Sequence, residues 1–96
     1  MLKIVFENKF LKQYAKLEKE QMDKFQKSLP LIKRALEGDT ELYKQFRIKK
    51  MNPKKDGIWE GHIEINLVFT LDFTYNEKDK ICNFRRIGTH SIYSNS

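Results

Sequence analysis

The C-terminal end of the chain holds three side chains suited to phosphate chemistry, Arg86, His90 and Tyr93. Arginine can hold two phosphate oxygens at once, and histidine moves protons readily near neutral pH. A tyrosine can stack on a base or take part in proton transfer. Gly88 precedes the histidine, where it lets a strand end and turn. The same spacing also arises by chance in solvated basic tails, so the motif leaves both interpretations open.

The second histidine, His62, lies in a segment of alternating polar and apolar residues, 59–66. Alternation places it on one strand face with Glu60 and Glu64. Such a face fits acid–base catalysis, although a polar face is also usual for the wetted side of an antiparallel sheet. The two histidines and Cys82 are too few and too scattered to predict a zinc site. No glycine-rich phosphate loop is present, so we expect neither a metal nor a cofactor.

Positive charge is concentrated in one fifth of the chain. The sequence has 19 Lys and Arg against 13 Asp and Glu, a net charge of +6. Residues 43–62 hold an excess of cations that favours a polyanion or an acidic partner. A lysine-rich surface that only aids solubility is the alternative. The cations of this stretch that we expect to contact such a polyanion are Arg47, Lys49, Lys50, Lys54 and Lys55.

Length and composition limit the class of protein. The 96 residues predict a single domain over 1–96. No apolar run is long enough to cross a bilayer, and the N-terminus does not resemble a signal peptide. A lone cysteine gives no internal disulfide. These features predict a cytoplasmic protein with no membrane partner.

The hydrophobic periods predict an α+β fold in the order β-α-α-β-β-β-β, with a four- to five-stranded, largely antiparallel sheet. A strand at 2–6 precedes two amphipathic helices, the second ending before Gly38, and Pro30 is expected to kink or split that helix. Beyond residue 42 the period changes to two, with turns at 52–57 and 76–79. The apolar residues expected beneath the helices are Leu2, Ile4, Phe6, Phe46, Ile48, Trp59, Ile63, Ile65, Phe69, Leu71 and Phe73.

The last strand, expected at about 80–87, leaves one ambiguity. Strict alternation groups Arg86 with Cys82 and Phe84. If Phe84 faces the core, Arg86 points inward unless a bulge or twist intervenes near Gly88. Arg85 is therefore a second candidate for the phosphate contact, and periodicity does not decide between them.

The segment Arg86-Ile87-Gly88-Thr89-His90-Ser91 resembles the C-terminal signature of RelE/ParE-superfamily toxins from bacterial toxin–antitoxin pairs, in particular the YafQ-like messenger-RNA interferases. The resemblance covers essentially the whole chain in the right order. Its other parts are the opening strand, the lysine-rich helical hairpin and the segments Arg47-Ile48-Lys49-Lys50-Met51, Gly57-Ile58-Trp59-Glu60 and His62-Ile63-Glu64. Each motif is loose, but together they are fairly specific.

This resemblance implies a microbial-ribonuclease-like fold that enters the ribosomal decoding site and cuts messenger RNA. By position, His62 and His90 match the family's histidines, and Arg86 matches its phosphate-binding arginine. The expected mechanism is metal-independent attack by the RNA's own 2′-hydroxyl, giving a 2′,3′-cyclic phosphate. The implied partners are messenger RNA, the ribosome and a cognate antitoxin that presents an acidic segment or helix.

Three positions depart from the family pattern. Asn66 replaces an aspartate of the YafQ-like pattern and remains a candidate RNA contact. Val68 stands where many relatives have an arginine, and Tyr93 is one residue early relative to the terminal aromatic. Two alternatives therefore stay open: a ParE-like inhibitor of DNA gyrase that needs no catalysis, or a degenerate member that binds RNA or antitoxin without cutting.

Overall fold

The computed structural model describes residues 2–51 and 57–95, with side chains as far as Tyr93. The predicted turn at 52–57, apart from Gly57, and the candidate RNA contacts Lys54 and Lys55 lie outside these residues. The helices are α1 (Asn8–Tyr14), α2 (Lys19–Leu36) and α3 (Thr40–Gln45). The strands are β1 (Leu2–Phe6), β2 (Lys49–Lys50), β3 (Trp59–Glu64), β4 (Leu67–Tyr75) and β5 (Lys80–Gly88), followed by a C-terminal 3₁₀ helix (His90–Asn95).

The strands form one mixed sheet in the order β1-β5-β4-β3-β2. β1 runs parallel to β5, and the other neighbouring pairs are antiparallel. The β4–β5 turn is held by the Asn76 side chain, which accepts hydrogen bonds from the backbone N–H groups of Lys78 and Asp79. The predicted α+β class and largely antiparallel sheet are confirmed.

Two helices, α1 and α2, bury one face of the sheet. Aromatic rings from α1, α2, β1, β4 and β5 pack against one another there. As a result Phe10, Phe25, Phe69 and Phe84 are all nearly inaccessible to solvent. Gly61 is required by this packing, since a Cβ at that position would lie 2.2 Å from the Phe69 ring. The predicted core is therefore confirmed for most positions, but Ile65 is an exception. It lies in the β3–β4 turn and is 83% exposed.

Three local predictions need correction. Pro30 does not split α2, which runs unbroken from Lys19 to Leu36 with the proline on its exposed side. A third helix, α3, occupies residues that were not predicted as helical, and Asp39 caps it by accepting from the N–H of Leu42. Phe46 and Ile48 are buried as expected but precede the strand, because β2 contains only two residues.

A β-bulge sets the direction of the two arginines in β5. Thr70 pairs with Arg86, whereas the next residue, Leu71, pairs with Phe84, so Arg85 is the extra residue. The bulge lets Phe84 and Ile87 both enter the core. Arg86 consequently shares the sheet face of Thr70, away from α1 and α2. This resolves the conflict between core packing and motif spacing that alternation alone left open.

The face opposite α1 and α2 is not fully open. The C-terminal 3₁₀ helix packs against β4 and β5 and buries Ile92, while Val68 and Thr70 beneath have no exposed surface. Gly88 allows this return, since its φ is +155° and a Cβ there would lie 3.0 Å from Ile92. The middle of the predicted polar face is therefore covered by the 3₁₀ helix, and the exposed polar residues lie along its edges. No helix in the described part of the chain is long and apolar enough to cross a membrane.

Candidate active site

The fold brings the two histidines together. His62 on β3 pairs across Val68 with Gly88, the last residue of β5. The chain turns at Gly88 and enters the 3₁₀ helix, so His90 returns toward the same row. The ring centroids of His62 and His90 are 5.8 Å apart, with the rings tilted by 54°. This distance allows both imidazoles to address one small group.

The imidazole of His62 is partly buried and is not used to hold the fold. Its Nδ1 is buried without a hydrogen-bond partner among the described residues. Burial lowers the pKa of His62 from 6.5, the carboxylate of Glu60 raises it, and the positive charges of Arg47 and Lys49 lower it further. His62 is therefore largely neutral at pH 7, as a general base must be.

Glu60 was predicted to share the face of His62 but was not counted among the candidate site residues. Its side chain is buried and pairs with Lys49 at 3.4 Å. Burial raises the pKa of Tyr93 to about 12, and the negative charge of the Glu60 carboxylate adds to this shift. The sequence could have revealed Glu60 through its pairing with Lys49 on the neighbouring strand. That pairing could not be predicted, because the sequence did not show that β2 contains only two residues.

Tyr93 lies beside His90 in the site. Its ring meets the His90 ring edge-on, with centroids 5.5 Å apart and an angle of 88°. With its pKa raised to about 12, the hydroxyl stays protonated at neutral pH. These contacts favour a role in holding His90 in place over the proton-transfer role that the sequence left open.

The two arginines of the bulge differ in their partners. Arg85 pairs with Asp72 at 2.8 Å and lies 3.6 Å from Glu7. Arg86 lies 4.0 Å from Glu7 and donates a hydrogen bond to the carbonyl of Arg85. Register places Arg86 in a row with Thr70 and Glu60, two residues along the sheet from the row of His62 and on the same face. Arg86 is therefore the better placed of the two for a phosphate at the histidines.

The remaining basic candidates do not form one surface. Arg47 is exposed and, with Gln45 and His62, lines a shallow groove of about 210 Å³. Lys49 shares the face of Glu60, but its neighbour Lys50 points to the other face, where its Nζ lies 5.7 Å from the centroid of the Trp59 ring. Lys49 and Lys50 therefore lie on opposite sides of β2, because adjacent residues of a strand face opposite sides, and both remain predicted RNA contacts.

Asn66 lies at the edge of the site. It is exposed in the β3–β4 turn, at the end of the sheet where His62 pairs with Val68. Val68, which replaces an arginine of the family pattern, is buried beneath the 3₁₀ helix. An arginine at position 68 would need a different covering, so the departure from the family pattern agrees with the local packing.

The whole architecture matches solved toxin structures. YafQ from E. coli strain BL21(DE3) aligns over 97% of this chain and 98% of its own, with a TM-score of 0.69 and 17% identity. A YoeB/ParE toxin from Agrobacterium tumefaciens aligns over 92% and 98%, with a TM-score of 0.64 and 14% identity. The E. coli DinJ–YafQ toxin–antitoxin complex aligns over 92% and 91%, with a TM-score of 0.61 and 16% identity.

The sequence alone gives no such match, because no protein-family model and no curated protein matches it. At these identities the likeness concerns the path of the backbone and not the individual side chains. The chain has the fold of RelE/ParE-type toxins such as YafQ.

Proposed function

We propose that this protein is the toxin of a toxin–antitoxin pair and that it is an endoribonuclease acting on messenger RNA at the ribosome. The observation that carries the proposal is the imidazole pair, with centroids 5.8 Å apart, at the edge of the sheet face of Arg86, where Arg47 lines a groove with His62. Two proton-transfer groups beside cations are what cleavage of a phosphodiester requires.

In the proposed reaction the 2′-hydroxyl of a nucleotide attacks the adjacent phosphorus, and the bond from phosphorus to the 5′-oxygen breaks. His62 accepts the proton of the 2′-hydroxyl, because burial keeps its imidazole neutral at pH 7. His90, which is exposed, donates a proton to the leaving 5′-oxygen. The products are a 2′,3′-cyclic phosphate and a 5′-hydroxyl, so no metal or cofactor is required.

The supporting groups have separate roles. Arg86 binds the phosphate and stabilises the charge that develops on it. Glu60 holds Lys49 by an ion pair, and Tyr93 holds the His90 ring by an edge-on contact. Arg47 contacts the RNA backbone beside His62 and supplies affinity that does not depend on sequence.

The partner that restrains this activity is a cognate antitoxin. The support is the likeness of the fold to YafQ in its complex with DinJ, together with the net charge of +6. An antitoxin that presents an acidic segment fits this charge.

The test uses messenger RNA in a translation extract and the same RNA without ribosomes. The wild type is expected to produce new ends with a 2′,3′-cyclic phosphate, identified by mass spectrometry. His62→Ala and His90→Ala are expected to lower the cleavage rate by about 10²- to 10⁴-fold each, since each removes a general acid or base. Lys27→Ala, an exposed change on α2, serves as the control. Unchanged cleavage in both histidine variants contradicts the proposal.

A gyrase supercoiling assay with the same variants tests the ParE-like alternative. The nuclease proposal expects no inhibition of supercoiling. Inhibition that persists in His62→Ala and His90→Ala would instead support a toxin that acts by binding.

A further inference from the structure

We infer that Glu7 is a positioning residue for the phosphate-binding arginine of the proposed nuclease, and that it acts as one carboxylate shared between Arg85 and Arg86. Its effect on cleavage rests on the proposed function. The contacts that orient Arg86 do not, because they are a matter of geometry alone.

The backbone holds Glu7 beside β5, on the face that carries Arg86. Glu7 continues the extended chain of β1, with φ −70° and ψ 154°, and its N–H donates to the carbonyl of Phe84 at 3.0 Å. The preceding residue, Phe6, stacks on the Phe84 ring in the core. Because neighbouring residues of extended chain point to opposite faces, the Glu7 side chain is directed away from α1 and α2.

The carboxylate of Glu7 is turned toward the arginines and not toward α1. Glu7 is the N-cap of α1, a position whose side-chain oxygen commonly accepts a hydrogen bond from the first turn, but it makes no such bond to the described residues of the helix. Oε2 instead lies 3.6 Å from Nη1 of Arg85, and Oε1 lies 4.0 Å from Nη1 of Arg86. The bulge in β5 makes this sharing possible, since a regular strand would send consecutive arginines to opposite faces.

The two arginines are held unequally. Asp72 binds Arg85 at 2.8 Å and is itself fixed by the side-chain amide of Asn83, which donates to it at 2.9 Å. Arg85 therefore has a close counter-charge besides Glu7, and Glu7 can act on Arg86. The Arg86 side chain is only 12% exposed, and a largely buried guanidinium is costly without negative charge nearby.

Glu7 orients Arg86 without occupying it. Nη1 of Arg86 also donates to the carbonyl of Arg85 at 2.7 Å, and two contacts on one nitrogen of a planar guanidinium orient the whole group. At 4.0 Å the carboxylate attracts Arg86 but makes no hydrogen bond to it. A phosphate forms shorter bonds of about 2.7–2.9 Å, so it can bind Arg86 while Glu7 stays in place. Donors that are aimed before the reaction need no rearrangement during it.

The kinetic test compares the wild type with Glu7→Gln, which keeps the shape of the side chain and removes its charge. We expect kcat for RNA cleavage to fall at least about tenfold, because a misplacement of about 1 Å can cost about 10²-fold. KM should not rise, since the change removes a negative charge near the bound phosphate. Glu7→Ala also removes the hydrogen-bond acceptor and should lower kcat further. Rates are referred to the folded fraction from circular dichroism, so a loss of stability alone leaves kcat unchanged.

A second measurement does not depend on cleavage. NMR relaxation of the arginine Nε–H groups reports their order on the picosecond to nanosecond timescale. We expect the Arg86 group to be ordered in the wild type and less ordered in Glu7→Gln. Arg34, which pairs with Asp39 between α2 and α3, should be unaffected and serves as the internal reference.

Two variants serve as matched controls. Glu18→Gln removes a carboxylate from the same N-cap position of α2, and Asp79→Asn breaks the ion pair with Lys3 at the opposite end of β1. Neither change should alter kcat or the order of Arg86.

The outcomes separate this inference from the proposed function. Arg86 that is as ordered in Glu7→Gln as in the wild type overturns the positioning role. So does a protein that cleaves RNA with the same kcat in Glu7→Gln, or that loses activity there only through KM. If the wild type never cleaves RNA but Arg86 loses order in Glu7→Gln, the nuclease is contradicted and the orientation of Arg86 by Glu7 stands.

Discussion

At the scale of single residues, the two imidazoles have different surroundings, and the difference assigns their roles. His62 is half-buried among cations, whereas His90 is exposed and held by one aromatic contact. The surroundings of His62 disfavour its protonated form, so the imidazole is neutral before the reaction and can accept a proton as the base. The exposed group, which exchanges protons with solvent, suits the acid.

The pH dependence of cleavage follows from this asymmetry. The base must be deprotonated, so the rate should rise with pH through the pKa of His62, which lies below 6.5. Glu60 raises that pKa, so Glu60→Gln should move the acid limb to lower pH. A pH–rate profile, with the His62 titration followed by NMR, measures both effects. An acid limb above pH 6.5, or one that moves upward in Glu60→Gln, contradicts the assignment.

The residue-level result also shows what a sequence can predict about this site. The types and spacing of His62, Arg86 and His90 left more than one interpretation open, and the resemblance to the toxin family was needed to nominate them. Their proximity could not be predicted, because it depends on the pairing of β3, β4 and β5. Glu60 was placed on the face of His62 but not among the site residues, because a buried carboxylate is recognised by its partners, and Lys49 comes from β2.

At the scale of elements, periodicity predicted the amphipathic helices and the longer strands because each buries one face. It failed where a single residue or a short segment decides the structure. The bulge at Arg85 changes the parity of β5, and nothing in the local pattern reveals it. The 3₁₀ helix has too few apolar residues for a period, and its burial of Val68 and Thr70 depends on the turn at Gly88.

The contact between β3 and the 3₁₀ helix makes a prediction at this scale. Glu60→Gln keeps the shape of the side chain but removes the charge that pairs with Lys49 and raises the pKa of Tyr93. We expect a loss of roughly 1–2 kcal/mol in the free energy of unfolding, because interactions with a buried charge are worth more than neutral ones. The pKa of Tyr93 should fall from about 12 only part of the way toward 10, since burial remains.

Urea denaturation and NMR titration of the tyrosines measure these two changes. The matched control is Glu64→Gln on the same strand, whose partner Lys24 lies across a solvent-exposed pair. That change should cost less than about 1 kcal/mol. Equal losses in the two variants would contradict a structural role for Glu60 at the junction of β2, β3 and the 3₁₀ helix.

At the scale of the whole molecule, the positive charge is divided between two faces. Arg47 and Lys49 belong to the histidine side, whereas Lys50 and Lys80 lie over the rings of Trp59 and Phe73 on the helix side. Net charge attracts RNA to the molecule as a whole. Of these four cations, Arg47 and Lys49 are the ones placed to touch an RNA strand whose phosphate lies between the imidazoles.

This division predicts which cations control the salt dependence of binding. Affinity for a 2′-O-methylated RNA, which lacks the attacking hydroxyl, is measured as a function of salt concentration. Each phosphate contact on a single strand contributes about −0.7 to the slope of log affinity against log salt. Arg47→Gln should make the slope less steep by about 0.7. Lys50→Gln removes the same charge from the opposite face and should change the slope little. Equal effects of the two substitutions would mean that RNA contacts both faces. That result would contradict the prediction that RNA binds on the histidine side.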